Sequence, residues 1–102
     1  MLGQFFRGFI KIHILHHAES GPVYGLKMIE ELKHHGYSRL SPGTLYPTLR
    51  GMEQAGYLVS EERLEAGRWR TYYKITPAGR TALAQVRAKL SELAEEVLSR
   101  SE

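Results

Sequence analysis

The fold is decided by residues 41–58, which read SPGTLYPTLRGMEQAGYL. This stretch begins with Pro42, Gly43 and Pro47 close together, although it ends like a helix that runs into a strand. Pro42 fits the first turn of a helix, because the N–H that it lacks has no partner there. Pro47 presses on the carbonyl of Gly43, four residues earlier, and a glycine gives the backbone room to adjust. We therefore predict a helix over residues 41–55 whose rigid, distorted first turn exposes N–H groups that attract phosphate.

The predicted helix has one apolar face and one narrow, partly basic face. The apolar residues, at i, i+4 and i+7, are Leu45, Leu49 and Met52. The opposite face carries Gly43, Pro47, Arg50 and Gln54. Its slim start allows a close approach to another surface, and its guanidinium suits a phosphate or a guanine edge. We expect Ser41 to cap the helix by accepting an N–H bond. The hydroxyl groups of Thr44 and Tyr46 flank the outer face. The alternative is a surface helix whose arginine contacts only water.

Periodicity and turn residues predict further elements on both sides of this helix. Before it we predict a helix over 4–18 and a helix over 23–35, which Gly36 ends. After it we predict two strands, over 57–63 and 68–76, joined by a loop at 64–67. A last helix, capped by Thr76, runs from Pro77 to about residue 99. This order is that of a winged helix-turn-helix, a mainly α fold with a small β-hairpin. We assign residues 1–76 to the winged helix-turn-helix DNA-binding domain, including the N-terminal helix, and residues 77–102 to a C-terminal dimerisation helix.

Residues along the second strand of the hairpin alternate between two faces. One set of residues can pack on the core, and the other forms a basic face that includes Arg68 and Arg70. A two-stranded ribbon with arginines near its tip can lie along a duplex and contact phosphates or the minor groove. We expect Trp69 at or under the tip of this wing, where it packs and does not read bases. The alternative is a solvated edge hairpin whose cations discourage strand pairing.

The last predicted helix carries a narrow apolar seam. Its members, at spacings of three and four, are Leu83, Val86, Leu90, Leu93 and Val97. Such a seam needs a partner, either the first helix of the same chain or a helix of a second copy. The first helix also needs cover, since it carries Phe5, Phe6 and Phe9. We therefore predict a homodimer in which each terminal helix packs on the first helix of its partner. Packing within one chain is the alternative.

Composition narrows the functional classes. The chain has 102 residues, which suits one small domain, and its net charge of +3 weakly favours an acidic partner such as nucleic acid. The absence of cysteine excludes disulfides and thiolate chemistry and fits a cytoplasmic protein, and no apolar run has the length of a membrane span. Neither a cleavable signal peptide nor a constellation of catalytic groups is found. We expect no enzymatic activity, no cofactor and no membrane association.

The histidines form a weak metal-binding pattern. His13 with His16 or His17 has the i, i+3 or i+4 spacing of a ligand pair, but no carboxylate or cysteine stands at clear ligand spacing with them. His34 and His35 fit a helix C-terminus, where the partial negative charge favours a cation. We therefore assign no metal site from the sequence.

Three stretches carry a recognisable pattern: PVYGLKMIEEL (22–32), LSPGTLYPTLRGMEQAGYL (40–58) and GRWRTYYKITPAG (67–79). Together they resemble the PadR family of bacterial and archaeal transcription regulators. The family pattern is Tyr-Gly in the second helix, Gly-Thr-Leu-Tyr-Pro at the start of the recognition helix, and a Tyr-Tyr strand end after a Gly-Arg wing. The wing of this chain reads Gly-Arg-Trp-Arg, where Gly-Arg-Pro is frequent in the family.

The resemblance implies a homodimer that binds a two-fold operator of double-stranded DNA, usually as a repressor. It also implies release by a small aromatic or drug-like effector, as in some members. The implied DNA contacts are Ser41, Gly43, Thr44, Tyr46, Pro47 and Arg50 on the recognition helix, Arg68 and Arg70 on the wing, and Tyr24 and Lys27 on the second helix. Three rival functions stay open: a dimer that binds a protein partner, a small-molecule sensor built around the N-terminal phenylalanines, and a histidine-dependent metal regulator.

Overall fold

The computed structural model describes residues 2–37 and 39–99. In chain order its elements are α1 (Leu2–Glu19), β1 (Val23–Tyr24), α2 (Gly25–His34), α3 (Pro42–Gln54), β2 (Leu58–Glu65), β3 (Arg68–Ile75) and α4 (Pro77–Val97). Four helices and a small antiparallel sheet within these residues confirm the predicted mainly α fold with a hairpin. None of the described helices combines the length and apolar composition that a membrane span needs.

A third strand joins the hairpin. Val23 and Tyr24, which we predicted as the first turn of the second helix, pair antiparallel with Tyr73 and Tyr72 of β3. The strand order is therefore β1-β3-β2, with β3 in the middle. A two-residue strand is too short to show a periodicity of its own, so the sequence pattern did not separate it from α2.

The turn between β2 and β3 is tighter than the predicted four-residue loop. Strand pairing continues to Glu65 and Arg68, so only two residues lie between the strands. These residues, Ala66 and Gly67, have φ angles of +51° and +77°, as a type I′ turn requires at both positions. The alanine gave no sequence signal for this turn, because it rarely adopts a positive φ.

One apolar core holds the helices against the sheet. The apolar face of α3 lies in it as predicted, with Leu45, Leu49 and Met52 all buried. Leu83, which we predicted in the interface seam of the last helix, is only 1% exposed and belongs to the core of its own chain. Because the described residues include no buried charged or polar side chain, this core depends on apolar packing.

Two glycines allow close approaches that position the exposed elements. A Cβ on Gly25 would collide with the ring of Tyr46, so this glycine lets α3 pack against the start of α2. A Cβ on Gly79 would collide with the backbone of Tyr57, so α4 begins directly beside the segment that leads into β2. Thr76 caps α4 as predicted, because its hydroxyl accepts a 3.0 Å bond from the N–H of Gly79.

Candidate nucleic-acid interface

The outer face of α3 is exposed in the arrangement that the sequence predicted. Gly43, Pro47, Arg50 and Gln54 are all exposed, opposite the buried face of the helix. Pro47 lies inside the helix without ending it. Because a proline has no N–H, the carbonyl of Gly43 lacks its usual helical donor and stays available at the surface.

The cap of α3 differs from the prediction. Ser41 occupies the N-cap position, but its hydroxyl makes no capping bond and instead lies 3.5 Å from the hydroxyl of Thr44. The backbone carbonyl of Ser41 accepts bonds from the N–H groups of Thr44 and Leu45, at 3.0 and 2.9 Å. Pro42 has no N–H and the Thr44 N–H is already bonded, so the N–H of Gly43 is the first-turn group that stays free to meet an anion.

Gly43 leaves the start of α3 bare. An added Cβ there would meet nothing nearer than the Oγ of Ser41, at 3.7 Å. The packing of the chain itself therefore does not require a glycine at this position. A glycine whose own chain leaves space for a side chain instead suits the close approach of another molecule.

A shallow groove of about 270 Å³ runs between α2, α3 and the wing. It brings together four predicted contact residues: Tyr24, Tyr46, Arg68 and Arg70. Tyr46 is half-buried because its ring packs over Gly25, which limits its freedom to reach outward. Lys27, the other predicted contact of α2, is exposed but does not line this groove.

The predicted basic face of the wing is in fact a mixed-charge surface. Lys74 and Arg63 both pair with Glu61, at 2.8 and 2.9 Å, and these cations hold the pKa of that carboxyl below its usual value. Arg70 lies 3.4 Å from Glu65, and its guanidinium carbon is 4.1 Å from the centre of the Tyr24 ring. The acidic residues of β2, which the analysis of β3 alone overlooked, therefore engage most of the cations.

Two arginines of α3 and the wing keep their charge available. Arg68 and Arg50 are exposed, and neither forms an ion pair with any residue in the described ranges. Arg68 directly follows the turn of the wing, whereas Arg50 lies on the outer face of α3. An unpaired guanidinium has more to gain from a phosphate or a base edge than one already bound to a carboxylate.

The side chain of Trp69 does not pack as we predicted. It lies beside the tip of the wing, opposite Leu64 of β2, as its position in the sequence indicated. Its side chain, however, is 69% exposed and does not pack under the wing. An exposed tryptophan next to Arg68 extends the contact surface of the tip with an apolar ring.

A hydrogen-bonded link between α3 and β2 escaped the sequence analysis. A carboxylate oxygen of Glu53 accepts bonds from both the N–H and the hydroxyl of Ser60, at 3.1 and 2.7 Å. This link fixes the end of α3 to the first strand of the wing. A helix residue and a strand residue have no common periodicity, so no signal in the sequence pairs them.

A second surface, on α1 and α4, is apolar. The first half of α4 packs on α1 of the same chain, where Arg87 donates to both carboxylate oxygens of Glu19 at 3.1 and 2.9 Å. This contact lowers the pKa of Glu19. Val86 is half-buried nearby. Apart from the buried Leu83, the other predicted interface residues are exposed: Phe5, Phe6, Phe9, Leu90, Leu93 and Val97.

A helical core, an exposed third helix and a hairpin with arginine at its tip define a winged helix-turn-helix, a class of DNA-binding protein. Residues 14–85 match the model of the transcriptional regulator PadR-like family. The chain therefore belongs to that family, whose members are DNA-binding transcriptional regulators and not enzymes.

Individual relatives agree with this assignment. The chain is 54% identical over 95 residues to the transcriptional regulator Rv3488 of Mycobacterium tuberculosis, a match that covers 93% of this chain and 88% of the relative. A PadR-like regulator from Bacillus cereus has a TM-score of 0.85 at 26% identity, covering 97% of this chain and 99% of that one. A PadR family regulator from Eggerthella lenta has a TM-score of 0.75 at 33% identity, covering 95% and 81%.

Proposed function

We propose that this transcriptional regulator is a homodimeric repressor that binds a two-fold DNA operator through α3 and the wing. The observation that carries the proposal is the pair of unpaired arginines, Arg50 and Arg68, on the two elements that such proteins present to DNA. Rigid elements support both positions, because α3 is joined to β2 by Glu53 and to α2 by the packing of Tyr46.

In this proposal α3 enters the major groove with its bare N-terminal turn foremost. The slim surface at Gly43 lets the backbone approach the duplex, and Arg50 then reaches a base edge or a phosphate. Arg68 follows the backbone or the minor groove at the tip of the wing. Ser41, Thr44 and Pro47 surround these contacts, whereas Tyr24, Lys27 and Arg70 have supporting roles at the phosphates.

The dimer of this proposal follows from the uncovered apolar surface of α1 and α4. Leu90, Leu93 and Val97 are exposed in their own chain, so the α1 of a second copy gives them cover. Leu83 is left out of this interface because its own chain already buries it. A two-fold dimer presents two α3 helices to half-sites about one helical turn apart.

An effector site is a further part of the proposal. A cavity of about 420 Å³ lies beside Phe6 and is lined by Ile10, Tyr37 and Thr44. Its apolar and aromatic walls suit a small aromatic or drug-like molecule. Because Thr44 belongs to the first turn of α3, a ligand there can alter the presentation of the recognition helix. A ligand-dependent rise in melting temperature is the measurement that detects such binding.

The test of the main proposal is binding to the DNA just upstream of the protein's own gene, titrated across salt. We expect a protected two-fold site and an affinity that falls steeply with salt, because bound cations release counterions from the DNA. The control is Arg80→Ala, which removes an exposed arginine of α4 beside Ile75, at the end of β3 opposite the wing tip. Weak binding equal to that of random DNA, followed by no enriched site in a genome-wide selection of bound fragments, would contradict the operator proposal and favour a protein partner.

A further inference from the structure

Three histidines from two helices meet at the junction of α1 and α2. His13 and His17 lie one turn apart on α1, and His35 caps the end of α2. One ring nitrogen of each lies within 4.8 Å of those of the other two. We infer that this cluster is a binding site for a divalent transition-metal ion of borderline softness, such as Zn²⁺, for which imidazole is a preferred ligand.

The spacing is close to that of an assembled site. Zn–N bonds of about 2.0–2.1 Å in a tetrahedron place neighbouring ligand nitrogens about 3.4 Å apart. Side-chain rotation can shorten the gaps, most freely at His35, because this residue is exposed at the end of a helix. The ring of His35 is already stacked on that of His13, with centres 4.8 Å apart. The three ligands therefore already lie side by side, and side-chain rotation is the movement that would assemble the site.

One nitrogen of the cluster lacks a partner. Nε2 of His17 is shielded from solvent and forms no hydrogen bond with any group that the structure describes. A buried polar atom without a partner destabilises a fold, so most such atoms in proteins are satisfied. A metal ion bound through Nε2 of His17 would satisfy this nitrogen, which simple ring packing does not.

Burial and charged neighbours surround the two histidines of α1. The pKa of His13 is lowered by burial and by the neighbouring His35, His17 and His16, and burial also lowers the pKa of His17. Glu31 of α2 acts in the opposite direction on His17 through its negative charge. The other contact is the ring of Tyr37, 5.4 Å from that of His13.

The remaining histidines serve as internal comparisons. His16 is outside the cluster because its Nδ1 lies 3.0 Å from the guanidinium of Arg87. His34 is exposed and adjacent to His35, but it is not part of the cluster. The sequence showed only the ligand pair on α1, because the third ligand comes from another helix. An ion at this site would join α1 to the end of α2, just before the turn into α3.

The experiment is a calorimetric titration of the tag-free full chain with Zn²⁺ alone, near neutral pH in a buffer that does not bind metal. We expect one ion per chain, and Co²⁺ in its place should give the visible absorption of a tetrahedral site. His35→Ala should weaken Zn²⁺ binding by at least about tenfold, the smallest effect reported even for loss of an outer-shell partner. His34→Ala, the matched control one residue away, should bind as the unchanged protein does.

Melting curves keep the test independent of folding defects. Zn²⁺ should raise the melting temperature of the unchanged protein and of His34→Ala, but not that of His35→Ala. Without metal, His35→Ala should melt close to the unchanged protein, because its side chain is exposed. The inference is overturned if the unchanged protein binds no Zn²⁺, or if His34→Ala and His35→Ala lose affinity equally. Because the protein is tested without DNA, neither result depends on the proposed operator binding.

Discussion

At the scale of single residues, replacement of Arg50 tests whether its guanidinium reads a base or contacts the DNA backbone. It is exposed and carries no ion pair among the described residues, so its replacement should leave the free energy of unfolding nearly unchanged. Arg50→Ala should weaken operator binding by about 1–3 kcal/mol if the guanidinium reads a base. The measurement is the affinity for operator and for random DNA at one salt concentration. Equal losses on both would remove the base-reading role and leave a phosphate contact.

Gly43 gives a second residue-scale prediction, in which stability and DNA affinity move in opposite directions. Gly43→Ala should stabilise the fold by roughly 0.5–1 kcal/mol, because alanine favours a helix and its Cβ meets open space. The same methyl group should weaken operator binding if DNA approaches the bare turn. Gly51→Ala is the matched control, since Gly51 also lies in α3 with nothing near its Cβ position.

Chemical denaturation and DNA titration of both variants decide this prediction. Gly51→Ala should show the gain in stability and retain its DNA affinity, because Gly51 does not belong to the proposed contact face. Unchanged operator affinity in Gly43→Ala would mean that DNA does not approach the first turn of α3 closely.

At the scale of elements, the link between Glu53 and Ser60 sets how α3 and the wing are presented together. Glu53→Gln keeps the size of the side chain but removes the charge that accepts both bonds. We expect a loss of about 1–2 kcal/mol in the free energy of unfolding, because bonds to a half-buried carboxylate are stronger than neutral ones. Operator affinity should fall further than stability explains, since the wing is no longer fixed to α3.

The control for this prediction is Glu62→Gln, which removes an exposed carboxylate of β2 without a described partner. Denaturation curves should show no loss for Glu62→Gln. A Glu53→Gln protein that matches this control in both stability and DNA affinity would mean that the apolar packing of α3 alone holds the wing in place.

How much was predictable also differs between elements. The faces of α3 followed from the sequence because an apolar residue every third or fourth position fixes which side of a helix is buried. The charge of the wing did not, because it depends on which residues of β2 stand beside Arg70 and Lys74, and register is set by the turn. That turn includes Ala66 at a positive φ, which no sequence rule favours. The link between Glu53 and Ser60 and the histidine cluster at His35 form only when separate elements meet, so the pattern of one element does not predict them.

At the scale of the whole molecule, the second half of α4 is the argument for a dimer. Residues 88–99 are exposed along their whole length, and yet Leu90, Leu93 and Val97 recur on this segment at apolar-seam spacing. So short a helical segment is marginal in water unless its apolar face is covered. The chain extends 61 Å along its longest axis but only 30 and 21 Å along the others. A second copy that covers this segment would bury its apolar side chains in a core shared by the two chains.

Leu90→Glu should therefore separate the dimer. A carboxylate buried at an apolar interface without a partner is costly, so we expect association to weaken by more than about a hundredfold. Val59→Glu is the matched control, because Val59 is an exposed apolar residue of β2 outside the proposed interface. Sedimentation velocity should give a monomer for Leu90→Glu and a dimer for Val59→Glu. Operator affinity should fall with the dimer, since one half-site offers half of the contacts. A Leu90→Glu protein that stays dimeric would show that the copies meet through another surface, and the arrangement of half-sites would then have to be derived anew.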